Sequence, residues 1–164
     1  MGEGDDLCSD ESDDQAEETE LQLSELSLNG LDTSHTLKLF GSIGPHQGKI
    51  MVDSGASHCF ISDQVVFALK LIVMRTLPYS VMLGDGSRVQ AAEIYYDLVL
   101  TMASKDFSLS CYVFPLRNVD VILGITWLAA LGDVTANWQT LRMTFSVEGR
   151  LLTIQGDPTL TRRA

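Results

Sequence analysis

The sharpest chemical signal in the chain is the run Ile50-Met51-Val52-Asp53-Ser54-Gly55-Ala56-Ser57. Three apolar residues bury a strand, and the chain then places a carboxylate at its mouth. Gly55 permits a tight backbone turn that a side chain would obstruct. Ser54 brings a hydroxyl that can tie the loop down and donate nearby. A carboxylate held this way is suited to acid–base work. Asp-Ser-Gly is also a common turn tripeptide, so these residues alone do not establish catalysis. His58 beside Cys59 raises metal or nucleophile chemistry, but no second ligand pair stands at a zinc-like spacing, and no metal site is expected. Trp127 and Trp138 read as core or interface aromatics, and Asp120 and Asp133 as turn residues.

The elements that must position Asp53 are legible in outline. Thr36–Gly44 reads as a strand that turns through Gly44-Pro45-His46-Gln47-Gly48. Lys49–Val52 reads as a second, wholly apolar-facing strand ending at Asp53. Ile94, Tyr96, Leu98, Leu100 and Met102 recur at period two, as do Leu141, Met143, Phe145 and Val147. Such alternation marks strands with one buried face, and many short strands between turn signals predict an all-β sandwich or barrel. Two short helices interrupt it: Asp63–Leu71, capped by Ser62, and Thr126–Leu131, stopped by Gly132. No internal repeat is visible.

Length and composition set the frame. The 164 residues suffice for one domain, with 45% hydrophobic and 20% charged residues. The net charge of −11 is concentrated at one end: residues 1–32 hold twelve of the 22 acids and none of the eleven Lys and Arg. Residues 1–25 are expected to be a disordered acidic tail, 26–157 the folded domain, and 158–164 a C-terminal linker. No basic stripe exists to neutralise phosphates, so no direct nucleic-acid binding is expected. No apolar run reaches the roughly 18–20 residues of a membrane span. Three scattered cysteines and an acidic N-terminus point away from a disulfide framework or a signal peptide. An intracellular, cytoplasmic setting is expected.

Three motifs in order carry a resemblance. After Asp53-Ser-Gly-Ala-Ser-His-Cys-Phe-Ile-Ser comes Val81-Met82-Leu83-Gly84-Asp85-Gly86-Ser87-Arg88-Val89, a hairpin with an Asp-Gly tip. Then comes Ile122-Leu-Gly-Ile-Thr-Trp-Leu, with Ala136-Asn-Trp-Gln-Thr-Leu-Arg-Met-Thr-Phe beyond it. Singly, the second motif is an ordinary surface hairpin and the third a buried strand end. Together they resemble the retropepsin-like aspartic proteases, and more narrowly those of gypsy-class LTR retrotransposon polyproteins, over about residues 26–157.

The resemblance implies a retropepsin-like closed β-barrel or sandwich with one or two short helices, active as a homodimer. It implies an aspartic endopeptidase acting on extended peptide or polyprotein substrates, with Asp53 catalytic and no cofactor or metal. Ser54, Gly55, Ala56 and Ser57 match the active-site loop, Ser54 supplying the hydroxyl that braces the two loops of a dimer. Gly84, Asp85 and Gly86 match the flap, and Gly124 the glycine that lets the chain pass tightly behind that loop. One Asp-Ser-Gly and no repeat leave the second carboxylate to a second copy. Ser54 stands where viral members commonly carry threonine, and Asp85 adds a charge at the flap tip. No zinc knuckle precedes the domain and no polymerase follows it, as expected of a polyprotein fragment, a truncated element copy or a domesticated gene product. The alternatives are an inactive protease-like module that dimerises or binds peptides, and an interaction protein working through its acidic tail.

Overall fold

The computed structural model describes residues 19–23, 28–30, 36–83 and 86–160. Strands β1 (Thr19–Gln22), β2 (Thr36–Ile43), β3 (His46–Asp53) and β4 (Phe60–Ser62) lead into helix α1 (Asp63–Ala68). Then follow β5 (Met74–Met82), β6 (Arg88–Met102), β7 (Lys105–Phe114), β8 (Val121–Leu123) and helix α2 (Ile125–Leu131). A meander of β9 (Val134–Asn137), β10 (Arg142–Val147) and β11 (Arg150–Gln155) precedes a 3-10 turn at Pro158–Leu160.

The first eight strands form one sheet in the order β1-β5-β6-β2-β3-β8-β4-β7, and an additional β6–β7 pairing brings its far end back. Six strands, from β6 through β2, β3, β8 and β4 to β7, therefore close a ring, with β2 and β6 paired at Ser42 and Thr101. This is the all-β architecture expected from the alternating strands. Closure removes most of the exposed edge that an open sheet would present.

Local details depart from the sequence reading for identifiable reasons. Ile43 pairs with His46, so the β2–β3 turn holds two residues and β3 starts three residues before Lys49. Gly44, at φ +59, takes the first central position and Pro45 the second, the pattern of a type II′ hairpin. Gly48, read as part of a turn, lies within β3 opposite Gly41. Tyr96, grouped with the inward residues of β6, is 51% exposed. The β6–β7 register shifts between Tyr95 and Leu98, with Asp97 at φ +60, and this bulge turns Tyr96 outward. Helix α1 has the expected cap, Ser62 Oγ accepting from Gln64 N–H at 3.1 Å, but stops at Ala68 because Lys70 turns into the left-handed region (φ +54). Helix α2 ends at Gly132, φ +79, as expected.

Both segments read as non-domain contribute to the fold. β1 lies within the stretch expected as tail, and its Leu21 and the adjoining Leu23 are buried. At the other end, Asp157 N–H donates to Lys38 O at 2.7 Å. The buried Lys38 ammonium donates to Leu160 O at 3.1 Å and also to Gly30 O. A charge this deep persists only where carbonyls replace its water, and these ones pin two distant segments onto β2.

Burial sorts into two apolar clusters. The first joins Leu37, Leu39, Ile50, Val52, Leu98, Leu100 and Val121 to Trp127, Met143, Phe145 and Ile154. There Trp127 meets Phe107 and Phe145 edge-on at 5.7 and 5.9 Å, seating α2 and the C-terminal meander. The second contains Leu21, Leu23, Met51, Ala56, Phe60, Tyr79, Val81 and Ile122. Successive residues of β3 serve the two clusters alternately, as the pleat requires. Ile50 and Val52 face the first. Met51 faces the second, and by the same period so does Asp53.

Candidate active site

β3 and β8 run parallel with Val52 opposite Leu123, so Asp53 and Gly124 arrive together at one rim of the ring. β4 lies on the far side of β8, and the chain from Asp53 to Phe60 must cross the end of β8 to reach it. That crossing is close: Ile125 N–H donates to Ala56 O at 2.8 Å. A Cβ on Gly124 would lie 2.2 Å from His58 O and 2.6 Å from Ala56 O. Backbone oxygens cannot yield as a side chain can. Gly124→Ala is expected to lower unfolding stability by about 2–4 kcal/mol in chemical denaturation; wild-type stability would remove the packing role assigned to this glycine.

Asp53 itself is 2% exposed. Its Oδ1 accepts the Gly55 N–H at 2.8 Å, and its carbonyl accepts the Ala56 N–H at 3.2 Å. This is an Asx-type turn closed by its own carboxylate. A Cβ on Gly55 would stand 3.2 Å from Oδ1, so a side chain there would press on the acid. Ser54 and Gly55 are exposed, Ala56 is buried and Ser57 half-buried. The Ser57 hydroxyl accepts from Gln22 N–H at 2.8 Å and lies 2.7 Å from His58 Nδ1. His58 stands edge-on to Tyr112, and burial lowers its pKa. Burial raises the thiols of Cys59 and Cys111, which keeps them protonated and poorly nucleophilic. Among the described residues no three His, Cys, Asp or Glu side chains are gathered to hold a metal ion.

β5 and β6 form a hairpin with Met82 opposite Arg88, closed by Leu83 N–H to Ser87 O and Gly86 N–H to Leu83 O, both 2.9 Å. Gly86 takes φ +89 in open space. Gly84 and Asp85, the remaining tip residues singled out in the sequence, lie outside the described residues.

Sequence reasoning missed two contributors. Tyr79, on β5, is 2% exposed, and its hydroxyl donates to Glu93 O at 2.8 Å and Val113 O at 3.0 Å. It thereby locks the hairpin base to β7. Only its place in an apolar–polar run marked it. Burial, as the largest cause, pushes its pKa up to about 12. Between pH 10 and 12 the folded chain keeps a proton that the unfolded chain has released, so stability falls as pH rises through that window and is intact below it. The contribution at stake is up to roughly 2 kcal/mol. Tyr79→Phe is expected to cost about 1–2 kcal/mol at neutral pH and to flatten the alkaline decline, as read by urea denaturation across pH 8–12. An unchanged decline would assign it to other groups. The second missed contributor is β1 with the residue after it: the alternating Leu21 and Leu23 were submerged in acidic composition.

A cavity of about 560 Å³ lies at the start of β8, the end remote from Gly124, lined by Lys49, Ser62, Asp63, Arg117 and Asp120 among others. It brings none of the residues around Asp53 together. No helix among the described residues is long and apolar enough to cross a membrane.

Residues 49–150 match the family model described as the PEG10/RTL1 protease domain. No curated protein sequence matches the chain. Among solved structures, the retroviral protease-like domain of Ddi1 from Leishmania major is similar with a TM-score of 0.55 at 17% identity, over 76% of this chain and 95% of that one. A retropepsin-like aspartic protease from Rickettsia conorii matches with a TM-score of 0.38 at 14% identity, over 77% of this chain and 85% of that one. At 17% identity the first likeness concerns the fold alone.

Proposed function

The chain belongs to the PEG10/RTL1 protease domain family, and from that premise we propose that it is an aspartic endopeptidase that works as a homodimer. The supporting observation is the placement of Asp53: a buried carboxylate at the mouth of β3, its Oδ1 held by the Gly55 N–H. One such turn supplies half of the chemistry. Two copies of Asp53, about 3 Å apart across a two-fold axis, share a proton because both cannot ionise at that distance. The ionised member takes a proton from a water between them, and that water attacks the scissile carbonyl. The protonated member polarises the carbonyl, and a proton then passes to the leaving amine. The pair titrates as a unit.

The remaining parts have roles in this reading. Ser54, exposed in the single chain, braces the two loops against each other. The β5–β6 hairpin, with Gly84, Asp85 and Gly86 at its tip, closes over an extended peptide through main-chain hydrogen bonds. The substrate is polyprotein, and the domain descends from a gypsy-class retrotransposon. It acts inside the cell. The folded catalytic domain spans 26–157, with β1 added to it by its burial, and the 3-10 turn packs the start of the C-terminal segment.

The test is turnover of an unfolded polypeptide at mildly acidic pH, blocked by a hydroxyl-bearing mimic of the tetrahedral intermediate. Absence of turnover in a demonstrably dimeric preparation with an open cleft would favour the second reading, an inactive module that dimerises or binds peptides. The near-complete burial of Asp53 gives that reading its weight.

A further inference from the structure

β1 lies between the β5–β6 hairpin and the loop that follows Asp53. On one side it pairs in parallel with β5, from Thr19 opposite Tyr79 to Gln22 opposite Met82, and Leu23 N–H extends the pairing to Met82 O at 3.1 Å. On the other side it is held by the loop that follows Asp53: Ser57 N–H donates to Gln22 O at 3.1 Å, and Gln22 N–H to Ser57 Oγ at 2.8 Å. The segment is thus an extended peptide bonded through its main chain to both the hairpin and the active-site loop.

Its side chains are read as well. Leu21 and Leu23, 0% and 1% exposed, enter the cluster formed with Met51, Ala56, Tyr79 and Ile122. That cluster is on the face of β3 that carries Asp53. Between the leucines, Gln22 points to solvent. Two residues before Gln22, Glu20 Oε2 accepts from Arg88 Nε at 3.1 Å, with Arg88 Nη2 also at 3.1 Å. Main-chain bonds with alternate side chains in pockets are the pattern of peptide recognition by strand addition.

We propose that residues 19–23 are an internal ligand of the peptide-binding cleft, so the chain holds its own site closed and its substrates share the pattern acidic–Leu–x–Leu. This rests on the endopeptidase reading for the identity of the cleft but not for its occupancy. A tethered strand competes at an effective concentration of about a millimolar, so peptides in solution reach the cleft only when β1 leaves.

The test uses the full chain. A fluorescent peptide copying residues 17–25 is titrated, by anisotropy, into wild type and into the Leu21→Asp/Leu23→Asp variant, alongside hydrolysis of an unfolded polypeptide. The variant is expected to bind the peptide at least about tenfold more tightly than wild type, and its turnover is expected to rise by a similar factor. Equal affinities, or no binding by a folded variant, would overturn the proposal. Should the variant fail to fold, Gln22→Pro carries the same test, because it removes the N–H given to Ser57 while leaving both leucines in place. Equal binding by that variant and wild type would overturn the proposal too. Peptide binding without hydrolysis in a released variant leaves the occupancy standing and removes the endopeptidase reading. Hydrolysis that excess peptide does not inhibit removes the occupancy alone.

Discussion

Asp53→Asn is expected to abolish peptide-bond cleavage, lowering turnover by about a thousandfold or more, while leaving the protein folded. The size follows from what is lost. General acid–base catalysis by a placed side chain contributes about 10²–10⁴-fold, and in a symmetric dimer one substitution removes both members of the pair. An amide can neither take a proton from water nor hold the shared one. Folding should survive because the local bond does not need a charge: Asn Oδ1 can accept the Gly55 N–H as Asp53 Oδ1 does at 2.8 Å, and the volume barely changes. Replacing a carboxylate that is 2% exposed by a neutral isostere also avoids the cost of burying charge. The measurement is turnover per active dimer, paired with urea unfolding of both proteins. Persistent cleavage by purified variant would remove Asp53 from the mechanism, whereas a collapsed unfolding midpoint would make the result one about stability.

The parts of this molecule that were legible in the sequence are those where a local rule decides. The Ser62 cap, the Gly132 stop and the alternation of Leu98, Leu100 and Met102 each follow from neighbours within a few residues. Gly124 was singled out through a motif, and its physical reason, the oxygens of His58 and Ala56, belongs to a loop 66–68 residues earlier in the chain. What stayed hidden depends on distant partners. Lys38 looks like an outward residue of a strand until Gly30 and Leu160 supply carbonyls. Tyr96 has the right parity until the bulge at Asp97 reverses it. β1 is the clearest case. Its burial comes from β5 and from the loop after Asp53, some 35 to 60 residues away, while its own neighbourhood has the composition of a solvated tail. Composition averages over a window, and two leucines at alternate positions do not shift that average.

The second large effect is expected on mixing subunits. If each site takes one carboxylate from each chain, a dimer of wild type with Asp53→Asn has half a pair and no activity. Let a fixed amount of wild type exchange freely with nine parts of the variant. Only about one dimer in a hundred is then fully wild type, within a tenfold larger pool, so activity falls to about a tenth. Diluting wild type alone should show the same dependence: once the concentration drops below the dimer dissociation constant, activity falls with its square, because each site needs two chains. A site complete in one chain predicts the opposite in both experiments, with activity indifferent to the variant and linear in enzyme. The variant also serves as its own control for occupancy of the cleft. β1 is tethered in every chain, so adding Asp53→Asn adds no detached strand, and a loss of activity on mixing comes either from pairing or from β1 passing between subunits. With Leu21 and Leu23 replaced by aspartate in both partners, the cleft is open throughout and the tenfold loss should remain. If it vanished there, the apparent poisoning would trace to β1 passing between subunits, and the requirement for two copies of Asp53 would lose its support.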